Sequence, residues 1–317
     1  MSKTNNTYYS NGKLLISGEY FVLKGALALA VPVQYGQRLT VNDLSDKKSN
    51  LIHWKSSYLD KPWFEGTLLA DSLSWKMSNN HNIADFLSLI LRQARRLNPE
   101  FLVSANEKEI LSHVDFDINW GLGSSSSLVS NISQWAEVNA FELNKLISAG
   151  SGYDIACALR DNPIFYQTSP DKPNIKPVNF NPEFKKYIYF APVGIKQSSE
   201  KSIAKSKKLL WKVRREIDMI SDITKKMATA KSLQEFIMLV KEHELIVSRI
   251  LKLKRIKDVL FNDFKGEIKS LGAWGGDFMM LIWEHSREDL KKYLAGKQIH
   301  DLFSFDELVL NRQNPPN

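Results

Sequence analysis

The stretch "NWGLGSSSS", from Asn119 to Ser127, sets two glycines and four consecutive serines directly ahead of an amphipathic segment. Apolar residues recur at helical spacing over residues 128–136, so a helix is expected to begin within the serines. The alternating pattern of "HVDFDIN", residues 113–119, predicts a strand that enters this serine loop. The sequence therefore predicts a strand, a glycine-containing loop and a helix in direct succession.

The serine loop has the composition of an anion cradle. Glycines allow positive φ angles and a close approach of the backbone to a ligand. The first turn of a helix leaves N–H groups without helical partners and carries partial positive charge, which suits phosphate. The loop lacks the Gly-Lys-Ser/Thr of a Walker A motif, and Ser126 occupies the third glycine position of a dinucleotide fingerprint. Two alternatives stay open: a serine-capped helix after a tight turn, and a nucleophilic serine without the G-x-S-x-G elbow.

Length and composition limit the classes of protein to consider. The chain has 317 residues, enough for roughly two domains of ~150 residues each. Its one cysteine, Cys157, excludes an internal disulfide and favours a reducing cytoplasm. The longest apolar run, residues 25–33, is too short to span a membrane. The net charge of +8 suits an anionic small molecule, since the basic run at residues 201–217 is interpreted as a solvated helix face and no nucleic-acid motif is visible.

Hydrophobic patterns predict mixed strands and helices on both sides of a proline-rich stretch. That stretch, residues 167–184, is interpreted as a linker. Long lysine-rich helices are expected from about Ser198 to Val259. The other predicted elements are strands at 13–23, 26–41 and 186–194, a hairpin at 50–66, helices at 82–97 and 287–296, and a glycine-rich turn running into a strand at 269–284.

Four stretches, in this order, resemble the motifs of the GHMP kinases, named for galactokinase, homoserine kinase, mevalonate kinase and phosphomevalonate kinase. Gly12-Lys13 and Gly18-Glu19-Tyr20 are similar to the first motif, and the serine loop is similar to the ATP phosphate loop. "GSGYDIA" begins at Gly150 and resembles the segment that carries the catalytic aspartate. "GAWGGD", residues 272–277, stands where a third Gly-rich motif is expected. Together the four motifs cover the chain from about Gly12 to Phe278.

The resemblance implies an α+β fold of two domains with the active site in the cleft between them. Residues 1–167 would form a ribosomal-protein-like ATP-binding α/β domain, and residues 168–317 a ferredoxin-like domain. The implied function is a cytoplasmic ATP- and magnesium-dependent kinase, a monomer or homodimer that binds neither nucleic acid nor membranes. It would transfer the γ-phosphoryl group to a hydroxyl or phosphate of a small anionic acceptor, with mevalonate or phosphomevalonate favoured. The alternatives are a diphosphomevalonate decarboxylase-like enzyme and a catalytically weakened nucleotide- or metabolite-binding protein.

The resemblance also assigns roles to individual residues. Asp154 matches the aspartate that faces the acceptor hydroxyl, with a plain helix N-cap as the alternative. Lys13 matches the first-motif lysine, with a surface lysine at a strand start as the alternative. Ser125 matches the magnesium-binding serine, and Glu142 is a weaker candidate for a second metal ligand. The ATP phosphates are expected to contact Gly121, Leu122, Gly123, Ser124, Ser125 and Ser126.

The resemblance also implies an acceptor site. Glu19 and Tyr20 could shape its pocket, although Glu19 could equally be a buried structural partner. The third motif departs from the usual glycine run at Trp274 and Asp277, and an acid there repels phosphate. The third loop is therefore expected to make fewer amide contacts. The residues expected to bind the acceptor are Glu19, Tyr20, Lys196, Ser198, Gly272, Ala273 and Gly275.

Overall fold

The computed structural model of the protein describes residues 5–44, 49–103, 106–194, 213–272 and 277–312. The chain divides into two compact units, each with strands and helices. Unit 1 comprises Met1–Gly12, Tyr35–Ile118 and Gly123–Leu159. Unit 2 comprises Lys13–Gln34, Asn119–Leu122 and Arg160–Asn317. The α+β class expected from the sequence is thereby confirmed.

Unit 1 contains a sheet in the order β5-β4-β3-β6-β2, with β1 also paired to β2. The β3–β6 pair is parallel, whereas the β2–β6, β3–β4 and β4–β5 pairs are antiparallel. Both β1 and β2 continue across the boundary between the two units. The strands are β1 (Asn5–Ser17), β2 (Ala28–Asp43), β3 (Leu51–Tyr58), β4 (Lys61–Leu69), β5 (Ser74–Ser78) and β6 (Lys108–Val114).

The helices of unit 1 are α1 (His81–Leu97), α2 (Ser124–Trp135), α3 (Ala140–Ile147) and α4 (Tyr153–Ala158). The helix predicted at residues 82–97 is confirmed as α1, and Asn80 caps it by accepting the Asn82 and Ile83 N–H groups. Buried residues of α1 and α2 share one apolar core with Trp54 and Phe64 of the sheet. Each large apolar side chain buried there contributes about 1.5–3 kcal/mol, so the α2 scaffold is well anchored.

Two predicted strands of unit 1 have different bounds in the structure. The first ends at Ser17 rather than near Leu23, because Gly18 turns the backbone with φ 96° and a 3-10 turn follows at Phe21–Lys24. The strand predicted at residues 113–119 lies mostly upstream, as β6. The alternation that suggested it reflects Phe116, which is buried although it lies beyond the strand.

Unit 2 contains an antiparallel sheet in the order β10-β11-β9-β12. The chain order β9, helices, β10, β11, helix, β12 makes this a βαββαβ arrangement, as expected for a ferredoxin-like domain. The strands are β7 (Ile164–Gln167), β8 (Asn174–Pro177), β9 (Ile188–Pro192), β10 (Glu267–Leu271), β11 (Phe278–Ile282) and β12 (Phe303–Ser304). The helices are α5 (Arg214–Thr229), α6 (Leu233–Leu251), α7 (Ile256–Leu260), α8 (Arg287–Ala295) and α9 (Phe305–Leu308).

The proline-rich stretch at residues 167–184 is more ordered than a linker. It contains β8, which pairs with β7, whose own partner is the start of β2. Proline is tolerated in β8 because the strand lies at the end of the sheet order, where one row of N–H groups needs no partner. The division into domains at residues 167 and 168 stays a prediction.

The lysine-rich helices of unit 2 are confirmed from residue 213 onward as α5, α6 and α7. The start expected near Ser198 lies outside the described residues. Over the part of the chain that the structure describes, no helix combines the length and the apolar character needed to cross a membrane.

Candidate functional site

The serine loop has the backbone geometry of an anion cradle. Gly121 and Gly123 have φ angles of 72° and 94°, which side chains disfavour. Gly123 is the N-cap of α2, and no side chain caps the helix. The alternative of a serine-capped helix is therefore wrong. The N–H groups of the first turn of α2 face no capping side chain, which is the arrangement that binds phosphate.

The serines of the loop differ in what their hydroxyl groups do. Ser125 is exposed, so its hydroxyl is accessible to a metal ion. Ser126 is buried, and its Oγ donates to the Gly123 carbonyl at 2.8 Å. A phosphate contact from Ser126 would therefore come through its N–H group. Ser127 lies inside unit 1, where its Oγ donates to Gln37 Oε1 at 2.7 Å.

A buried polar network fixes α2 to the strands of unit 1. Gln37 Nε2 donates to Ser112 Oγ at 2.8 Å, and Asn131 Nδ2 donates to the Gln37 carbonyl at 2.9 Å. Ser10 Oγ donates to Asn131 Oδ1 at 2.8 Å. Sequence reasoning missed this network, although the small polar residues at 127, 130, 131 and 133 were a visible signal. Because its members are satisfied, the network makes the position of α2 specific.

Lys13 lies within β1 and binds the first half of the serine loop. Its N–H donates to the Leu122 carbonyl at 2.8 Å, and its Nζ donates to the Gly121 carbonyl at 2.9 Å. The side chain is half-buried, so the alternative of a surface lysine at a strand start is wrong. The structure thus brings the first-motif lysine to the predicted phosphate loop.

Asp277 packs against Gly121 of the serine loop. The sequence alone does not indicate this contact. A Cβ on Gly121 would lie 2.8 Å from Asp277 Cβ, and a Cβ on Gly272 would lie 3.2 Å from Asp277 Oδ2. Asp277 is 7% exposed, and its carbonyl accepts the Val193 N–H at 3.1 Å. A buried carboxylate therefore lies beside the first glycine of the loop, and that position has no room for a side chain.

We expect Gly121→Ala to destabilise the protein more than Gly25→Ala. Both glycines have positive φ angles, 72° and 90°, but nothing lies within 4 Å of a Cβ built on Gly25. Each alanine costs about 1–2 kcal/mol of backbone strain. The contact with Asp277 adds about 1–3 kcal/mol at Gly121. Urea unfolding of the two variants measures the difference. Equal losses of unfolding free energy would show that Asp277 can move aside without cost.

Asp154 lies in the first turn of α4, which begins at Tyr153. The N-cap is Gly152, with φ 86°, so the alternative that Asp154 is a plain N-cap is wrong. Asp154 is half-buried, and its Oδ1 accepts the Ile155 N–H at 3.1 Å. Within unit 1, α4 packs against α2. The predicted catalytic carboxylate is therefore carried by a helix that is a neighbour of α2, the helix that begins in the serine loop.

Glu142 is exposed in the first turn of α3, where Asn139 is the N-cap. Among the described residues, no group of three or more His, Cys, Asp or Glu side chains could hold a metal ion. The metal-binding role of Glu142 stays a prediction. Lys196, Ser198, Ala273 and Gly275, which were expected to bind the acceptor, lie outside the described residues.

Glu19 is buried in unit 2 at 1% exposure, and its carboxylate lies against two side chains. Oε1 accepts from Lys269 Nζ, and Oε2 lies 3.2 Å from His243 Nε2. The Gly18 N–H donates to the same His243 nitrogen at 3.2 Å. Of the two alternatives for Glu19, these contacts favour the buried structural partner over an acceptor ligand. Its neighbour Tyr20 is also buried and has a φ angle of 62°.

These contacts shift the pKa values of both titratable partners. Burial alone raises the pKa of Glu19, but the positive charge of Lys269 outweighs burial, and the pKa is lowered to about 2. Burial and the charge of Lys269 lower the pKa of His243, against the opposing effect of Glu19. His243 is therefore neutral at pH 7, and its Nε2 can accept the Gly18 N–H bond.

We expect stability to fall as the pH is lowered from 7. The pKa of His243 is lower in the folded protein than the ordinary 6.5, so below that pH the unfolded chain binds a proton that the folded chain refuses. Glu19 acts in the same direction, from 4.5 down to about 2. The His243 part is at most about 1.4 kcal/mol per pH unit. Urea unfolding at pH 7, 6 and 5 should give a shallower decline for His243→Gln, and parallel declines would contradict this.

Comparison with solved structures places this architecture among known folds. No family model matches the chain, and no curated protein sequence matches it. The structure is similar to L. major mevalonate kinase in complex with R-mevalonate, at 17% identity and a TM-score of 0.70, over 99% of this chain and 98% of that one. It is similar to Streptococcus pneumoniae phosphomevalonate kinase in complex with phosphomevalonate and AMPPNP, at 17% and 0.68, over 95% and 100%. It is also similar to Lactococcus lactis galactokinase complexed with galactose, at 11% and 0.66, over 97% and 94%.

All three of these proteins are GHMP kinases, so the chain has the α+β fold of the GHMP kinases. The expectation drawn from the four motifs is confirmed at the level of the fold.

Proposed function

We propose that the protein is an ATP- and magnesium-dependent kinase of small molecules. The observation that carries the proposal is the glycine-capped N-terminus of α2, whose first-turn N–H groups face no capping side chain. Phosphoryl transfer needs positioning and charge neutralisation more than covalent help from the protein. The N–H groups and partial positive charge of a helix N-terminus supply both for a triphosphate.

The residues of the loop fit a nucleotide and its metal ion. The N–H groups at Ser124 and Ser126 would bind phosphate oxygens, and Gly121, Leu122 and Gly123 would let the backbone approach them closely. The exposed hydroxyl of Ser125 is the hard oxygen ligand that magnesium prefers, and Glu142 is the candidate for a second ligand. Magnesium, when bound, neutralises phosphate charge.

The acceptor is proposed to be a small anionic molecule with a hydroxyl or phosphate group. The half-buried carboxylate of Asp154 would orient the acceptor hydroxyl and take up its proton. The structures of mevalonate kinase and phosphomevalonate kinase support mevalonate or phosphomevalonate as the first acceptors to test. The cytoplasmic location and the state as monomer or homodimer stay predictions.

Asp277 favours a second candidate, a nucleotide- or metabolite-binding protein with weakened catalysis. Its buried carboxylate lies against Gly121, where negative charge opposes a phosphate. Lys13 donates to the carbonyl of that same glycine, so a positive charge is present at the loop as well. This compensation favours the kinase over the binding protein.

Calorimetry with ATP and magnesium, together with ADP release, tests the proposal. Wild-type protein should bind ATP and release ADP with mevalonate or phosphomevalonate. Gly123→Ala should weaken ATP binding at least tenfold, because it distorts the loop. Gly25→Ala is the matched control, since its φ of 90° is close to the 94° of Gly123 and it lies outside the loop. No ATP binding at millimolar concentration would refute the kinase, and ATP binding without any ADP release would favour the binding protein.

A further inference from the structure

The first-motif turn, Gly18 to Gly25, is held in unit 2 by side chains from several elements. Four of these contacts are hydrogen bonds to residues within the turn or directly beside it. Ser17 Oγ and Thr224 Oγ1 are 2.7 Å apart, the Leu27 N–H donates to Ser221 Oγ at 3.0 Å, Gln167 Nε2 donates to the Gly25 carbonyl at 2.7 Å, and Thr168 Oγ1 donates to the Val22 carbonyl at 2.8 Å. The turn is therefore fixed far more firmly than a surface loop.

The backbone of this turn is strained near Gly18 and Tyr20. Tyr20 has φ 62° and ψ −42°, an uncommon conformation for a bulky residue. Gly18 has φ 96°, and a Cβ there would lie 2.8 Å from the Ala28 Cβ. Strain of this kind persists only when the surroundings over-determine it, and it concentrates at functional sites. The contacts that over-determine it come from His243 of α6 and Lys269 of β10.

Lys269 also connects this turn to a second motif. Its fully buried ammonium binds Glu19 and donates to the Ser270 carbonyl at 3.1 Å. Glu244 Oε1 lies 3.9 Å away. Lys269 lies on β10, three positions before Gly272, the first residue of the third Gly-rich loop. One buried cation therefore joins the first-motif turn to the strand that leads into the third loop.

We propose that His243 and Lys269 are positioning residues that hold the first-motif turn in its strained form and tie it to β10. His243 acts through its Nε2, which accepts the Gly18 N–H, and Lys269 acts through the carboxylate of Glu19. The kinetic consequence rests on the proposed kinase function, but the ordering of the turn does not. Glutamine at 243 offers an amide oxygen in place of Nε2, whereas phenylalanine offers no acceptor and asparagine is one methylene shorter.

Amide hydrogen exchange of the full-length protein, read by mass spectrometry over residues 14–24, tests the ordering of the turn. His243→Phe and His243→Asn should each speed exchange there at least tenfold, and His243→Gln should stay within threefold of wild type. The acceptor kcat/KM should fall at least tenfold in the Phe and Asn variants, with ATP affinity within threefold. The Asn variant keeps the test valid if the Phe variant does not fold.

Lys257→Met is the control, because it breaks an ion pair with Glu267 at the other end of β10, where the two charges are 3.2 Å apart. It should leave exchange at residues 14–24 unchanged. The proposal is overturned if the Gln variant is as impaired as the Phe and Asn variants, or if Lys257→Met has the same effect. Wild-type protein without phosphoryl transfer would refute the proposed function, while the exchange comparison would still decide whether His243 orders the turn.

Discussion

Asp154→Asn is expected to lower the rate of phosphoryl transfer to a hydroxyl acceptor by about 100- to 10,000-fold. That range corresponds to roughly 3–5 kcal/mol of barrier. The half-buried carboxylate lies in the first turn of α4, and the substitution removes the group proposed to take up the proton of the acceptor hydroxyl. Asparagine retains the Oδ1 that accepts the Ile155 N–H, so folding should persist. Single-turnover measurement at saturating ATP isolates the transfer step.

Asp85→Asn, on the exposed face of α1, is the matched control for loss of one carboxylate in unit 1. It should leave turnover within twofold of wild type, and ATP affinity should be unchanged in both variants. An Asp154→Asn protein that unfolds would assign the carboxylate a structural role. A loss below tenfold with a phosphate acceptor would give Asp154 a lesser role, because a phosphate needs no deprotonation at neutral pH.

The parts of the candidate site that depend on local sequence were predictable. Two glycines before a run of serines predict positive φ angles and a helix start, because both features depend on a few adjacent residues. The structure has both, at Gly121, Gly123 and the start of α2. The fold was predictable because four motifs in a fixed order are far more specific than any one of them.

The supports of the site were not predictable, because they come from distant positions. Lys269 and Glu19 are 250 positions apart, and His243 and Gly18 are 225 apart. A lysine within a strand and a histidine within a helix have no local pattern that marks them as partners of a first-motif turn. The same limit explains why the sequence alone does not decide between the two alternatives for Glu19, since the choice depends on which elements cover it.

Lys269→Met is expected to cost about 3–5 kcal/mol of unfolding free energy, because it leaves the carboxylate of Glu19 buried without its main counterion. Such a loss is a large fraction of the 5–15 kcal/mol that typically stabilises a folded protein. Urea unfolding at pH 7 measures it. Lys55→Met is the control: Lys55 and Glu109 are 2.9 Å apart, but the Lys55 side chain is 58% exposed. An exposed pair contributes about 0–1 kcal/mol, so its removal should be nearly silent.

The double variant Glu19→Met/Lys269→Met separates two effects of the ion pair. One is its contribution to the free energy of unfolding, and the other is its role in positioning the first-motif turn. Replacing both partners of a buried pair by apolar residues is often close to neutral, so most of the lost stability should return. Glu244→Gln added to this background should return more, since Glu244 Oε1 is 3.9 Å from Lys269 Nζ in the wild type. Phosphoryl transfer should stay low in both proteins, because neither has a charge pair that holds the first-motif turn to β10. Recovery of turnover in step with stability would mean that the buried pair only stabilises the fold and does not position the first-motif turn.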